Sequence, residues 1–156
     1  MSEWKTYEEV AEYLIDRFKS KFKLQAVEGK QHLVGIETGT EWEIDAKGVA
    51  DEEGGFVIIE ARRYTTSKQN QEKIAGLAYR IQDTGAKGGI IVSPLGLQEG
   101  AEKVAKANNI VSVKITADST PEQFSIEFFG NFIIGAGTAK LKIQTYPATI
   151  TEKKNA

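Results

Sequence analysis

Cysteine is absent from the 156 residues, and histidine occurs once, as His32. Without thiols the chain can form no disulfide, no thiolate zinc site and no thiol nucleophile. A single imidazole rules out a zinc centre built from several, and a Ser-His-Asp triad would have to use that one ring. No apolar run approaches the roughly 18 residues that a membrane-spanning helix needs. The opening MSEWKTYEEV lacks the apolar stretch of a signal peptide, so a cytoplasmic location is the expectation. Strong basic charge is missing too: the net charge is −2, whereas dedicated nucleic-acid binders are often markedly basic. What remains for an enzyme of this composition is carboxylate, lysine and arginine chemistry. That chemistry goes with hard cations and oxygen ligands, Mg²⁺ or Mn²⁺.

Hydrophobic residues make up 40% and charged residues 27%, an ordinary globular balance. No repeat, low-complexity tract or linker interrupts residues 1–156, which read as a single domain with a core over about 5–116 and an extension over about 121–150. A chain of this length buries roughly 70% of the surface that its unfolded form exposes. Basic residues gather locally, as Lys19, Lys21 and Lys23 and as Arg62, Arg63, Lys68 and Lys73. A solvated face is the ordinary meaning of such groups, and a polyanion partner is the functional one.

Tyr7, Val10, Ala11, Leu14, Ile15 and Phe18 recur at helical spacing and predict a helix over Tyr7–Lys19, with Thr6 and Glu9 in capping-box positions. A β-meander is expected next: Leu24–Glu28, His32–Glu37, Glu41–Val49 and Phe56–Ala61. The unbroken apolar run Phe56-Val57-Ile58-Ile59 suits a strand buried on both faces. Helices over Lys68–Thr84 and Gln98–Asn108 then alternate with strands at Gly89–Ser93 and Ile110–Ile115. That order implies parallel, right-handed crossovers, hence an α/β fold with a mixed sheet flanked by helices. Alternation at Phe124, Ile126 and Phe128, and at Leu141 and Ile143, predicts two further strands, and Thr151–Ala156 reads as a frayed tail.

Asp45 and Glu60 lie on consecutive predicted strands and can converge at one end of the sheet. Two close carboxylates repel unless a proton or a cation lies between them. A divalent metal fills that need, with the Ala61 carbonyl as a further ligand. Arg62 repeats onto the face of Glu60, where a cation can hold a phosphate or stabilise the charge that develops on it. Each position also has a plainer explanation. Glu60 and Arg62 could be an exposed cross-strand pair, Asp45 a turn former, and Glu8 a partner of a helix dipole. Gln69 and Gln71 at the start of the second helix could simply be solvated. His32 reads as structural, and Gly135-Ala136-Gly137 as a turn, since no phosphate-loop pattern accompanies it. Trp4 and Trp42 could stack bases, though packing is the better expectation.

At these residues the chain resembles the PD-(D/E)xK nuclease superfamily, and most closely its Mrr-like restriction endonuclease branch. Asp45 and Glu60 match the acidic positions, and Arg62 stands where the family has lysine. Glu60-Ala61-Arg62-Arg63-Tyr64 is similar to the family's Glu-x-Lys-Arg-Tyr. The stretch from Gly85 to Ser93, with Gly100-Ala101 and Asn109-Ile110, is similar to its later strand–helix–strand segment. Tyr7-Glu8 with Leu14 resembles the Phe-Glu opening of helix one, whose glutamate often faces the metal, and Gln69 and Gln71 stand where the family often places a polar active-site residue. The resemblance spans Tyr7 to Ile115 and implies a restriction-endonuclease-like, three-layer fold with extra C-terminal strands. It further implies a metal-dependent endonuclease that hydrolyses DNA. Asp45, Glu60 and Arg62 would be catalytic. Asp45, Glu60, Ala61 and Glu8 would hold Mg²⁺ (or Mn²⁺), and Arg63, Lys68, Gln71 and Lys73 would contact nucleic acid. Lysine and arginine differ here, because a guanidinium is forked, bulkier and never deprotonated. Two rivals stay open: a catalytically weakened module of the same fold that binds nucleic acid or a protein, and an interaction protein assembling through its C-terminal strands. DNA is the expected partner, without a membrane, and a homodimer is one admissible assembly.

Overall fold

The computed structural model describes residues 15–16, 19, 24–50, 55–62, 67–114, 125–128, 132–133, 140–141 and 150–152. Most of the expected first helix lies outside them, as do Trp4, Thr6, Glu8, Glu9 and Arg63. Ile15 and Asp16 are helical, and Ile15 is buried, as its place on the apolar stripe requires.

In chain order the elements are β1 (Leu24–Glu28), β2 (Gln31–Val34), β3 (Glu41–Ile44), β4 (Ala46–Ala50), β5 (Phe56–Ala61), α1 (Gln71–Thr84), β6 (Gly88–Ser93), α2 (Glu99–Ala107), β7 (Ile110–Lys114), β8 (Ser125–Phe128), β9 (Phe132–Ile133), β10 (Lys140–Leu141) and β11 (Ile150–Glu152). Among the described residues the main sheet runs β1-β4-β5-β6-β7-β8-β11. β5, β6 and β7 are parallel, and β1, β4 and β5 form an antiparallel flank. Ile58 and Ile91 meet Ile74, Leu77 and Ile81 of α1 on one face of the sheet. Val57, Ile59, Ile90 and Val92 alternate to the other face and are also fully buried. The sheet is therefore covered on both sides, as the continuous apolar runs of β5 and β6 predict.

Three expectations need correcting. The predicted strand over Glu41–Val49 is two strands. Asp45 breaks it, and β3 turns away to pair with β2 as a separate hairpin, while β4 enters the main sheet between β1 and β5. Helix α1 begins at Gln71 rather than Lys68: Asn70 is its N-cap and accepts from the Lys73 N–H. Gln69 instead forms an isolated parallel bridge with Leu97. Finally, Ile150–Glu152 overlaps the expected frayed tail yet pairs with β8 in parallel, since a ladder needs backbone groups and tolerates such β-branched residues well. β8 and β10 fall where the alternating pattern predicts strands.

Among the described residues, one side chain makes most of the hydrogen bonds between the hairpin and α1. Asp83, nearly fully buried on α1, accepts the Trp42 indole N–H at 2.8 Å, the Glu37 N–H at 3.0 Å, the Thr38 N–H at 3.1 Å and the Thr38 hydroxyl at 2.5 Å. The hydroxyl and indole donors, more than the backbone ones, hold its carboxyl down at about 2 against the opposing effect of burial.

Candidate active site

Glu60 is the penultimate residue of β5 and lies on the α1 face of the sheet, 3% exposed. Asp45 sits at the kink between β3 and β4 and reaches the end of β5. Their contacts explain the kink: Asp45 Oδ2 accepts the Ala61 N–H at 2.8 Å, and the Asp45 N–H donates to Glu60 Oε2 at 3.1 Å. Backbone groups that a continuous ladder would use elsewhere are thus satisfied by acidic side chains. The two carboxylates converge, as the order of strands predicts.

Cations hold them together. Arg62 places Nη2 2.9 Å from Glu60 Oε1, and its Nη1 lies 3.2 Å from the Ala61 carbonyl and 3.9 Å from Asp45 Oδ2. The Arg62 guanidinium lies on the carboxylates, drawn by their charge. From α1, Arg80 Nη1 also reaches Glu60 Oε1, at 2.9 Å. Arg80 is mostly buried, and its guanidinium lies over the Trp42 ring, 5.5 Å from the centroid. Two acids and two guanidiniums make a neutral quartet.

Among the described residues no group of three or more His, Asp or Glu side chains could hold a metal. The donors nevertheless fit a hard cation. One guanidinium, that of Arg62, lies 3.9 Å from Asp45 Oδ2, 2.9 Å from Glu60 Oε1 and 3.2 Å from the Ala61 carbonyl, the three oxygens predicted as ligands within the described residues. Glu8, the fourth predicted ligand, and Arg63 lie outside those residues.

A cleft of about 350 Å³ opens beside Glu60, between the hairpin and the first half of α1. Lys73 lines it together with Arg62, whereas Lys68 and Gln71 do not. Lys68 is exposed, and the Gln71 amide packs against Gly100 at the start of α2. Gln69 also lines the cleft. It is 2% exposed rather than solvated, because its backbone is bonded to Gly96 and Gln98. Trp42 lies on the rim near Tyr79, the two rings edge to face at 6.4 Å. His32 is exposed on the hairpin, with Nε2 3.9 Å from Glu43 Oε2. Arg80 went unpredicted: a sequence signal exists only in its spacing from Asp83, one turn of α1 away, and that signal is weak.

A mixed sheet buried on both faces, with an aspartate at the kink between β3 and β4 and a glutamate near the end of β5, defines the restriction-endonuclease-like class of fold. Residues 3–117 match the restriction endonuclease family of Mrr-type catalytic domains, and the chain belongs to that family. Among solved structures, a protein of unknown function designated AF1548 is similar, with 17% identity and a TM-score of 0.52 over 66% of this chain and 55% of its own. A repair endonuclease from Pyrococcus abyssi has 21% identity and a TM-score of 0.43, covering 74% of this chain and 50% of its own. EndoMS in its apo form has 21% identity and a TM-score of 0.42, covering 76% and 49%. The chain thus spans about half the length of these structures. No curated protein matches.

Proposed function

We propose that this chain is the catalytic domain of a metal-dependent endonuclease that hydrolyses DNA phosphodiester bonds. The observation that carries the reading is the convergence of Asp45, Glu60 and the Ala61 carbonyl on a single cationic group at the end of β5. The same three oxygens would hold Mg²⁺ or Mn²⁺, with Glu8 as a fourth donor. Such an ion, when bound, supplies a water of lowered pKa and a Lewis-acidic charge. Arg62, released from those oxygens, would grip a non-bridging oxygen of the scissile phosphate, with the guanidinium fork suited to two of them. It stays charged and cannot serve as a general base. Arg80 would keep Glu60 Oε1 in place, and the buried surroundings of Glu60 exclude water from that side. Arg63, Lys68 and Lys73 would bind flanking phosphates, and Gln71 would contact the backbone near them. A homodimer in the cytoplasm is the proposed setting. Among the described residues no helix is long and apolar enough to cross a membrane.

The neutral quartet supports a second reading, a module that binds DNA without cutting it, because Arg62 already satisfies the carboxylates. Nicking of supercoiled plasmid by the purified protein decides between the two. Cleavage in Mg²⁺ or Mn²⁺ that is abolished by chelator and by Asp45→Asn supports the endonuclease. Retained DNA binding with no nicking in either metal overturns it in favour of the binding module.

A further inference from the structure

The cleft beside Glu60 contains a group to which the proposed metal and phosphate contacts give no part. Gln69 is buried, yet its Oε1 has no hydrogen-bond partner among the described residues, and the residue is part of the cleft's lining. A buried acceptor left unsatisfied destabilises the fold, so its retention calls for a ligand that donates to it. The surroundings limit what that ligand is. Leu77 and Ile91 make an apolar floor, Trp42 and Tyr79 bring aromatic rings to the rim, and Lys73 adds a positive charge. A volume of about 350 Å³ is near the lower end of small-ligand pockets, which run from roughly 300 to 1,000 Å³.

We infer that this cleft receives one unpaired nucleobase of the DNA strand, held by the Gln69 amide and the Trp42 and Tyr79 rings. The inference rests on DNA as the substrate and names the form that the site prefers. Among the components of DNA, a base alone combines a flat apolar face with in-plane donors. Cytosine and adenine offer an exocyclic amino group to an acceptor such as Gln69 Oε1. A paired base cannot enter, since its face is stacked and its edge is occupied. The base must already be unpaired or be turned out of the helix, at a cost that is least for bulged or single-stranded sites. Glu60 forms part of the same wall, so the phosphate next to the held base would lie at the carboxylates.

The test uses the full chain in chelator at low salt, where no cutting occurs, with fluorescence anisotropy on two short duplexes. One carries a single bulged dC and the other an abasic residue at the same place. The wild type is expected to bind the dC duplex about tenfold more tightly. Gln69→Met, of similar volume and without the amide, should bind both duplexes alike and melt no lower than wild type. Tyr79→Ala, at a position 40% exposed and so tolerant of change, should also narrow the difference. Equal binding of both duplexes by the wild type, or a preference that survives Gln69→Met, overturns the inference and leaves the endonuclease reading intact. Failure to bind either duplex overturns both.

Discussion

Replacing Glu60 with glutamine should cost more stability than any exposed substitution, because it strands Arg80. The Arg80 side chain is 18% exposed. Without the carboxylate it keeps, among the described residues, the Trp42 ring at 5.5 Å and a 3.5 Å contact with the Glu43 carbonyl. Its Nε is buried and without a partner among the described residues. Removing one member of a buried ion pair costs about 3–5 kcal/mol. A glutamine oxygen can still accept one charge-assisted bond, which brings the expected loss to about 2–4 kcal/mol. For a chain of this size each kcal/mol lowers the melting temperature by about 2–4 °C, so the fall should be on the order of 10 °C. Urea titration gives the free energy, and an unchanged m-value shows that the compact state is the same. The double variant Glu60→Gln/Arg80→Met removes the stranded charge and should recover at least half of the loss, since an apolar replacement of a buried pair is often neutral. Arg80→Met alone should be milder, because Glu60 retains Arg62 and the Asp45 N–H. If Glu60→Gln melts within about 2 °C of wild type, or the two single losses simply add, the coupling between these side chains is absent and the reasoning fails.

Arg62→Ala should bind Mn²⁺ more tightly in calorimetry, by roughly two- to fivefold, as expected from removing a half-exposed competing cation. It should nonetheless cut DNA about 10²–10³-fold more slowly in single-turnover assays, the usual loss for deleting one charge-stabilising group. The Asp83 carboxyl, held at about 2, lies below its ordinary value of about 3.9. The unfolded chain therefore binds the proton first, and the stability that Asp83 contributes is full above about pH 5 and lost as pH falls towards 2. Thermal melts over that window should show a steeper acid loss for wild type than for Asp83→Asn. DNA affinity should weaken with salt by about 0.9 log units per decade for each phosphate neutralised, and Lys73→Ala should lower that slope by about one contact.

The carboxylate pair and the parallel half of the sheet were legible because they depend on local order. An acid follows the apolar run of β5, and helices alternate with strands over the rest. The division of Glu41–Val49 was hidden because Ile44, Ala46 and Gly48 keep the same alternation across the break. What breaks the strand is the Asp45 carboxylate taking the Ala61 N–H while the Asp45 N–H donates to Glu60, a tertiary event. Arg80 was hidden for a related reason. On the helical wheel it borders the stripe of Leu77 and Ile81, where an arginine ordinarily reaches solvent. It is buried because the hairpin, separated from the main sheet, places Trp42 over it. Gln69 looked solvated because it precedes a helix with a polar first turn, but the bridge to Leu97 turns it inward.

These hidden contacts form one path from fold to chemistry. Asp83 and Arg80 are three residues apart on α1 and so share a face. Asp83 takes the Trp42 indole N–H, Arg80 lies over the same ring, and Arg80 also holds Glu60 Oε1. The hairpin is covalently continuous with Asp45 through Ile44, and Ile44 is buried in the core beneath α1. Both acids are therefore positioned from the same hairpin, Asp45 through the chain and Glu60 through Trp42 and Arg80. A shift of the hairpin would move the two carboxylates relative to each other and widen or narrow the cleft together with them. Asp83, remote from the two carboxylates, thus bears on their placement by fixing where the hairpin lies.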